Sequence, residues 1–222
     1  MSTLVVKVGG AVAADSASAI LDLVANSHKV CVVHGAGPQI SLEMERAGIP
    51  IEFVDGRRVT TPEGLELVRA SFRRVNAALC DAIGEQAVGL FGDEIGLQAQ
   101  RVPALGLVGN ALPSRPAALV EALAADRVPV VAPLAEGPLN VNADEAAAAL
   151  ALGIDADELL FLTDVDGLMI NGHVVDSIGV DAASELLDGG TLHGGIIPKL
   201  GAAVTAARGG VTATIGRTAV AR

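Results

Sequence analysis

The chain has 222 residues, 51% apolar and 18% charged, with 15 basic against 26 acidic side chains and a formal net charge of −11. That length suits one large or bilobal unit with a sizeable core. The acidic balance argues against a nucleic-acid binder, and any anionic substrate must be drawn in by local positive charge against the overall field.

Short β-branched runs alternate with Ala- and Leu-rich segments of helical period. Residues 4–8 read as a strand, 16–24 as a helix and 30–34 as a second strand. A helix over 38–47 is expected to end at Gly48, a natural C-terminal cap. A longer helix over 62–82 opens with Thr61 as N-cap and Pro62 at its first position. Residues 87–91 and 98–102 read as strands, and the stretch on to Leu112 could hold a hairpin. A helix at 117–124, a strand at 128–132, a helix at 144–151 and a strand at 159–163 follow. A short helix at 184–187, a helix at 198–207 ending at Gly209-Gly210, and a strand at 211–215 complete the order. Strands such as Val30-Cys31-Val32-Val33 are apolar almost without interruption, which indicates a mostly parallel sheet covered by helices on both faces. Such sheets place their ligands at the carboxyl ends of the strands. Residues 188–195 read as the most flexible stretch.

Tryptophan and tyrosine are absent and there are four phenylalanines, so small and branched aliphatics must fill the core. Cys31 and Cys80 read as small buried hydrophobes, with neither a disulfide framework nor metal-ligand spacing. No basic segment precedes the first strand, and charge or glycine interrupts the Ala-rich stretches too often for a bilayer span. The expectation is a soluble, cytoplasmic protein with no nucleic-acid or membrane partner.

Three lysines occur against twelve arginines, and two of them stand beside paired glycines: Lys7 in Lys7-Val8-Gly9-Gly10 and Lys199 in Gly194-Gly195-Ile196-Ile197-Pro198-Lys199. Lysine offers a point charge suited to one phosphate oxygen, where arginine offers a planar fork. The alternative is compositional bias with two surviving surface lysines. Lys29, in no motif, reads as ordinary surface.

Further motifs fall at strand ends. Gly9 and Gly10 leave backbone N–H groups free for an anion nest, or simply make a tight turn. His34-Gly35-Ala36-Gly37-Pro38-Gln39 runs from strand through a glycine loop into a helix, a ready anion site. It lacks the third glycine and the downstream acid of a dinucleotide fingerprint, and no Walker pattern occurs anywhere. His34 alone reads as a core-edge histidine rather than a catalyst. In Asn140-Val141-Asn142-Ala143-Asp144, Asp144 either caps the following helix or, with Asn140 and Asn142, holds a polar ligand and orients a lysine. Leu162-Thr163-Asp164-Val165-Asp166-Gly167 is a turn without the terminal glutamate of a calcium loop. Arg57-Arg58 together could clamp a carboxylate, and Arg69, Arg73 and Arg74 form either a solvated surface or a landing site for an acidic partner.

In this order, the motifs resemble the amino-acid kinase family, most closely its N-acetylglutamate kinases, from Leu4 to about Arg217. Gly56-Arg57-Arg58-Val59-Thr60 belongs to the same ordered set. The resemblance implies an α/β fold, a three-layer αβα sandwich around a mostly parallel sheet. It implies a single domain over 1–222, with an acyl-amino-acid lobe at about 1–155 and an ATP lobe at about 156–222. Lys7 would stabilise the transferring phosphoryl group, Lys199 would neutralise the nucleotide phosphates, and Asp144 would organise both. Gly35, Ala36 and Gly37, with Arg58, Asn140 and Asn142, would hold the acylated amino acid. Gly9, Gly10, Asp164, Val165, Asp166, Gly167, Leu168, Gly194 and Gly195 would line the nucleotide site. The cofactors implied are ATP and the Mg²⁺ carried with it, with no separate protein metal site. The activity implied is phosphorylation of the γ-carboxylate of N-acetyl-L-glutamate, in arginine biosynthesis.

The sequence departs from the family pattern at several points. Ala36 stands where three consecutive glycines are usual, so a positive φ there would be strained and would shift substrate preference. Ile196 replaces a common methionine, and Gly92-Asp93-Glu94 lacks a lysine often found nearby. The chain stops at Arg222, short of the family's usual C-terminal strand, which predicts a bare or partner-covered sheet edge. The extra N-terminal helix of arginine-inhibited members is absent, which predicts a homodimer insensitive to arginine. The competing functions are a kinase for carrier-protein-bound aminoadipate or glutamate in lysine biosynthesis, and a catalytically silent nucleotide or amino-acid sensor.

Overall fold

The computed structural model describes residues 2–10, 16–163 and 165–222. In chain order the elements begin β1 (Thr3–Val8), α1 (Ala17–Ala25), β2 (Lys29–His34), α2 (Gly37–Ala47), β3 (Phe53–Val54) and β4 (Arg57–Arg58). Next come α3 (Pro62–Ile83), β5 (Ala87–Phe91), α4 (Gly92–Ile95), β6 (Ala99–Arg101), β7 (Val108–Ala111), α5 (Ala117–Ala124) and β8 (Val128–Ala132). These lead to β9 (Leu134–Ala135), β10 (Leu139–Val141), α6 (Ala143–Gly153), β11 (Glu158–Leu162), β12 (Met169–Ile170) and β13 (His173–Val174). The last are β14 (Ser177–Gly179), α7 (Val180–Asp188), α8 (Ile196–Arg208), β15 (Thr212–Ile215) and β16 (Thr218–Ala221).

Among the described residues the main sheet has eight strands in the order β14-β16-β15-β11-β1-β2-β8-β5. Neighbours run parallel except at β15–β16. Two-residue alternation sorts the central strands onto two cores. Leu4, Val6, Val8, Val30, Val32 and Val130 pack with α1, α2 and α3. Val5, Cys31, Val33, Val131, Leu159 and Phe161 pack with α5, α6, α7 and α8. The result is the expected αβα sandwich. Alanine-rich α6 and α8 lie against each other, since small side chains allow close approach of their axes.

The long elements stand where the sequence placed them. Thr61 accepts a hydrogen bond from the Gly64 N–H at 3.0 Å, and Gly48 closes α2 in the left-handed region at φ 69°. Helix α8 starts at Ile196 rather than Pro198, and α7 spans nine residues because Val180 and Ala183 find buried positions. The strand over 211–215 is not the last: β16 follows it, and the sheet's edge on that side is β14. Strand β16 pairs antiparallel with β15 and parallel with β14, and its Val220 is fully buried. Lys29 is no free surface charge either: its Nζ donates to the Leu123 carbonyl at 2.9 Å, at the end of α5.

His34 is a core residue, as its surroundings in sequence suggest. Its Nε2 meets Asn76 Nδ2 at 3.1 Å, its Nδ1 meets the Gly35 carbonyl at 3.3 Å, and its ring sits edge-on to Phe72. Burial pushes its pKa down from 6.5 to about 4, against the smaller upward pull of the Gly35 hydrogen bond. The unfolded chain therefore binds a proton that the folded chain refuses between these values. The stability held by neutral His34 is complete above pH 6.5 and is lost as the pH falls toward about 4. Urea titrations at pH 7 and pH 5 should differ by about 2 kcal/mol, and His34→Gln should remove that difference. An equal pH slope in both proteins contradicts the assignment.

Candidate active site

Three distant residues meet at the carboxyl end of β1. Strand alternation puts Lys7 on the face covered by α6, with Val33 and Phe161 as its register partners. Asn142, not Asp144, caps α6: its Oδ1 accepts from the N–H groups of Asp144 at 2.8 Å and Glu145 at 3.3 Å. The Asp144 side chain is thereby left for other work. Its Oδ1 lies 2.8 Å from Lys7 Nζ and 3.7 Å from Lys199 Nζ. Lys7 and Asp144 are each 5% exposed, so this is a dehydrated ion cluster with one more positive than negative charge. Burial lowers the Lys199 pKa, Asp144 opposes that shift and Lys7 reinforces it. Two ammonium groups held apart by one carboxylate form a preorganised receptor for anionic oxygens.

A cavity of about 240 Å³ opens beside the cluster. Lys7, Gly10, Gly35, Gly37, Arg58, Asn140, Asn142 and Asp144 all line it. Gly9 and Ala36 do not. Ala36 is buried and sits at φ −146°, outside the left-handed region, so alanine carries no backbone strain here. The close approach falls instead on Gly10. A Cβ there would stand 2.9 Å from Ala36 Cα, while Gln39 Nε2 donates to the Gly10 carbonyl at 2.9 Å. Gln39 therefore ties the two glycine loops together, a role the sequence reading missed.

Arg58 reaches into the cavity from the β3–β4 hairpin. Its Nη2 donates to Ser41 Oγ at 2.8 Å and to the Gly37 carbonyl at 3.2 Å, and its Cζ lies 4.5 Å from the Phe53 ring centroid. Burial pulls its pKa down, and among the described residues no carboxylate forms an ion pair with it. A buried guanidinium without a counter-ion is a receptor for a ligand carboxylate. Asn140 supports it at one remove: Asn140 Nδ2 donates to Thr60 Oγ1 at 3.0 Å, and Thr60 Oγ1 donates to the Arg58 carbonyl at 2.8 Å. Arg57 lines the same cavity as Arg58 but already has a carboxylate partner within the chain. Arg57 Nη2 pairs with Glu145 Oε1 at 2.8 Å.

A second cavity, of about 420 Å³, lies on the α8 side. Val165, Asp166, Gly167 and Leu168 line it with Ile196 and with Leu192 and His193 of the loop before Lys199, joined by Met169 and Val174, which the sequence reading had not singled out. Asp164 lies outside the described residues. Gly195 is the N-cap of α8, and a Cβ on it would be 4.0 Å from Lys199 Nζ. Gly194 precedes it at φ 69°. An apolar cavity thus leads to a helix N-terminus carrying a lysine in its second turn, an arrangement that suits a base and its phosphates.

Of the α3 arginines, Arg69 and Arg74 have partners within the chain, and Arg73 is exposed. Arg69 pairs with Asp93 and, at 3.7 Å, with Glu94; Arg74 meets Glu43 at 3.3 Å. Among the described residues no three His, Cys, Asp or Glu side chains gather as metal ligands, and no helix is long and apolar enough to cross a membrane.

The profile of the amino acid kinase family matches residues 2–216. The chain is 42% identical to an acetylglutamate kinase of Rubrobacter xylanophilus, over 97% of its own length and 88% of that protein's. It is also 42% identical to an acetylglutamate kinase of Nocardioides sp., over 82% of this chain and 65% of that longer protein. Among solved structures, smu.665 from Streptococcus mutans UA159 superposes with a TM-score of 0.86 at 26% identity, covering 99% of this chain and 98% of that one.

Proposed function

The chain belongs to the amino acid kinase family, and we propose that it transfers the γ-phosphoryl group of ATP to the γ-carboxylate of N-acetyl-L-glutamate, as a step of arginine biosynthesis. The observation that carries this reading is the Lys7–Asp144–Lys199 cluster beside the buried Arg58, which has no carboxylate partner among the described residues. The similarity to acetylglutamate kinases over most of the chain supports it.

MgATP supplies the transferable phosphoryl group. The apolar cavity over 165–168 suits its base, and the N-terminus of α8 with Lys199 suits its phosphates. Residues up to about 155 hold the acid and those from about 156 hold the nucleotide. The γ-carboxylate of the acid is ionised at neutral pH, with an ordinary pKa of about 4.3, so no general base is required. Arg58 anchors the acid's other carboxylate, and the N–H groups around Gly35 and Gly37 at the start of α2 add positive potential. That leaves the γ-carboxylate toward Lys7. Lys7 stabilises charge on the transferring oxygens, and Asp144 fixes the spacing of the two ammonium groups. Alignment and charge neutralisation carry the rate.

Removing the anchor should act on binding. Arg58→Ala should raise KM for acetylglutamate about 10- to 100-fold, the worth of charge-assisted hydrogen bonds, with a smaller change in kcat. An unchanged KM contradicts the anchoring role. Turnover with free acetylglutamate against carrier-borne aminoadipate tests the substrate class. The free acid is expected to win, since Arg69 and Arg74 are already paired within the chain. Preference for the carrier-borne substrate would overturn the reading.

A further inference from the structure

The β3–β4 hairpin carries Arg58, yet little apolar packing holds it down. Phe53, Val54, Asp55 and Gly56 are all exposed. Its base is fixed by Thr60, whose N–H donates to the Leu105 carbonyl at 3.0 Å and whose carbonyl accepts from Leu107 at 2.8 Å. Its outer end is held by polar ties to α6. Asn142 Nδ2 donates to the Gly56 carbonyl at 3.1 Å, and Arg57 pairs with Glu145 at 2.8 Å. Asp55 and Gly56 form the turn with φ of 49° and 75°, and a Cβ on Gly56 would touch Pro198 at 3.6 Å. Behind these ties a cavity of about 360 Å³ separates the hairpin from the α6–α8 layer, lined by Asp55, Arg57, Glu145 and Pro198 among others. Polar contacts, not packed side chains, therefore set where this hairpin sits.

The pairs are adjacent in sequence on both sides. Both arginines line the acid cavity, but Arg58 bonds to Ser41 and the Gly37 carbonyl of α2 while Arg57 pairs with α6, and Asp144 pairs with the lysines while Glu145 pairs with Arg57. We propose that the Arg57–Glu145 pair is a clasp that positions Arg58 for the acid substrate by seating the hairpin on the helix that carries Asp144. Neither residue need touch the reacting atoms. Both side chains are about three-quarters buried, at 25% and 23% exposure, so loss of either partner leaves the other incompletely solvated and frees the hairpin's outer end. The role rests on the acetylglutamate kinase reading for its kinetic consequence but not for its structural one.

Arg57→Gln, Glu145→Gln and the charge-swapped double variant Arg57→Glu/Glu145→Arg test it by two readouts. Amide hydrogen exchange over residues 53–58 needs no substrate. It should quicken about tenfold or more in each single variant while the core strands keep their protection, and return toward the unaltered rate in the swap. KM for acetylglutamate should rise about tenfold in each single variant with kcat within about threefold, and the swap should recover it. Unchanged exchange over 53–58 in both single variants overturns the clasp, as does faster exchange with unchanged KM. If the unaltered chain does not phosphorylate acetylglutamate, the functional reading falls and the exchange experiment still decides the clasp.

Discussion

Lys7→Arg should lower kcat by about a hundredfold or more, the scale of losing one transition-state donor, while KM for acetylglutamate changes little. The substitution keeps the charge and alters its shape and reach. Lys7 is almost fully buried at the end of β1, with its Nζ 2.8 Å from Asp144 and the two glycine loops close by. A longer, planar guanidinium can pair with Asp144 in the same space only by moving its charge away from the phosphoryl position. Binding of the acid rests on Arg58, which the substitution leaves in place. Steady-state kinetics at saturating nucleotide read both parameters. Turnover near that of the unaltered protein sinks the assigned role of Lys7.

Asp144→Asn should cost more, because one carboxylate serves both lysines. Its removal leaves two ammonium groups facing each other in a dehydrated site. Breaking a buried ion pair in this way costs about 3–5 kcal/mol of stability. Lys199 can offset part of that cost, since its pKa is already lowered by burial and by Lys7, and it loses the partner that pulls it back up. The expected result is a destabilisation of about 3 kcal/mol in urea titration and a fall in kcat of about a thousandfold. Nucleotide binding should weaken as well, because Lys199 no longer holds a fixed charged position. A variant that keeps turnover within about tenfold of the unaltered protein contradicts the role of Asp144 as the shared counter-ion.

Much of this arrangement is legible in the sequence. The apolar runs at Val30–Val33 and Leu159–Phe161 specify central parallel strands, and the paired glycines after β1 and before α8 mark the loops beside Lys7 and Lys199. Lys7, Asp144 and Lys199 do converge. Other features turn on local geometry that residue identity leaves open. Asn142 and Asp144 are both good N-caps two residues apart, and only the helix register shows that Asn142 takes the backbone donors. Ala36 would matter greatly at positive φ, and at −146° it is ordinary. The β3 and β4 strands have two residues each, too short for an alternating pattern to show. With the hairpin unrecognised, Arg57 and Arg58 read as one clamp, and the partner that Arg57 finds in Glu145 stays out of sight. The contact of Gln39 was hidden for a related reason: it is set by the path of the loop at Gly10, not by periodicity.

Trapping the product with hydroxylamine tests the central claim most directly. With ATP, Mg²⁺ and N-acetyl-L-glutamate, the chain should release ADP and form the acyl hydroxamate in equal amounts. Both should disappear when the acid is left out, and Lys7→Arg should lower both together. Binding of nucleotide and acid without hydroxamate above background would contradict the account and make the Lys7–Asp144–Lys199 cluster part of a sensor.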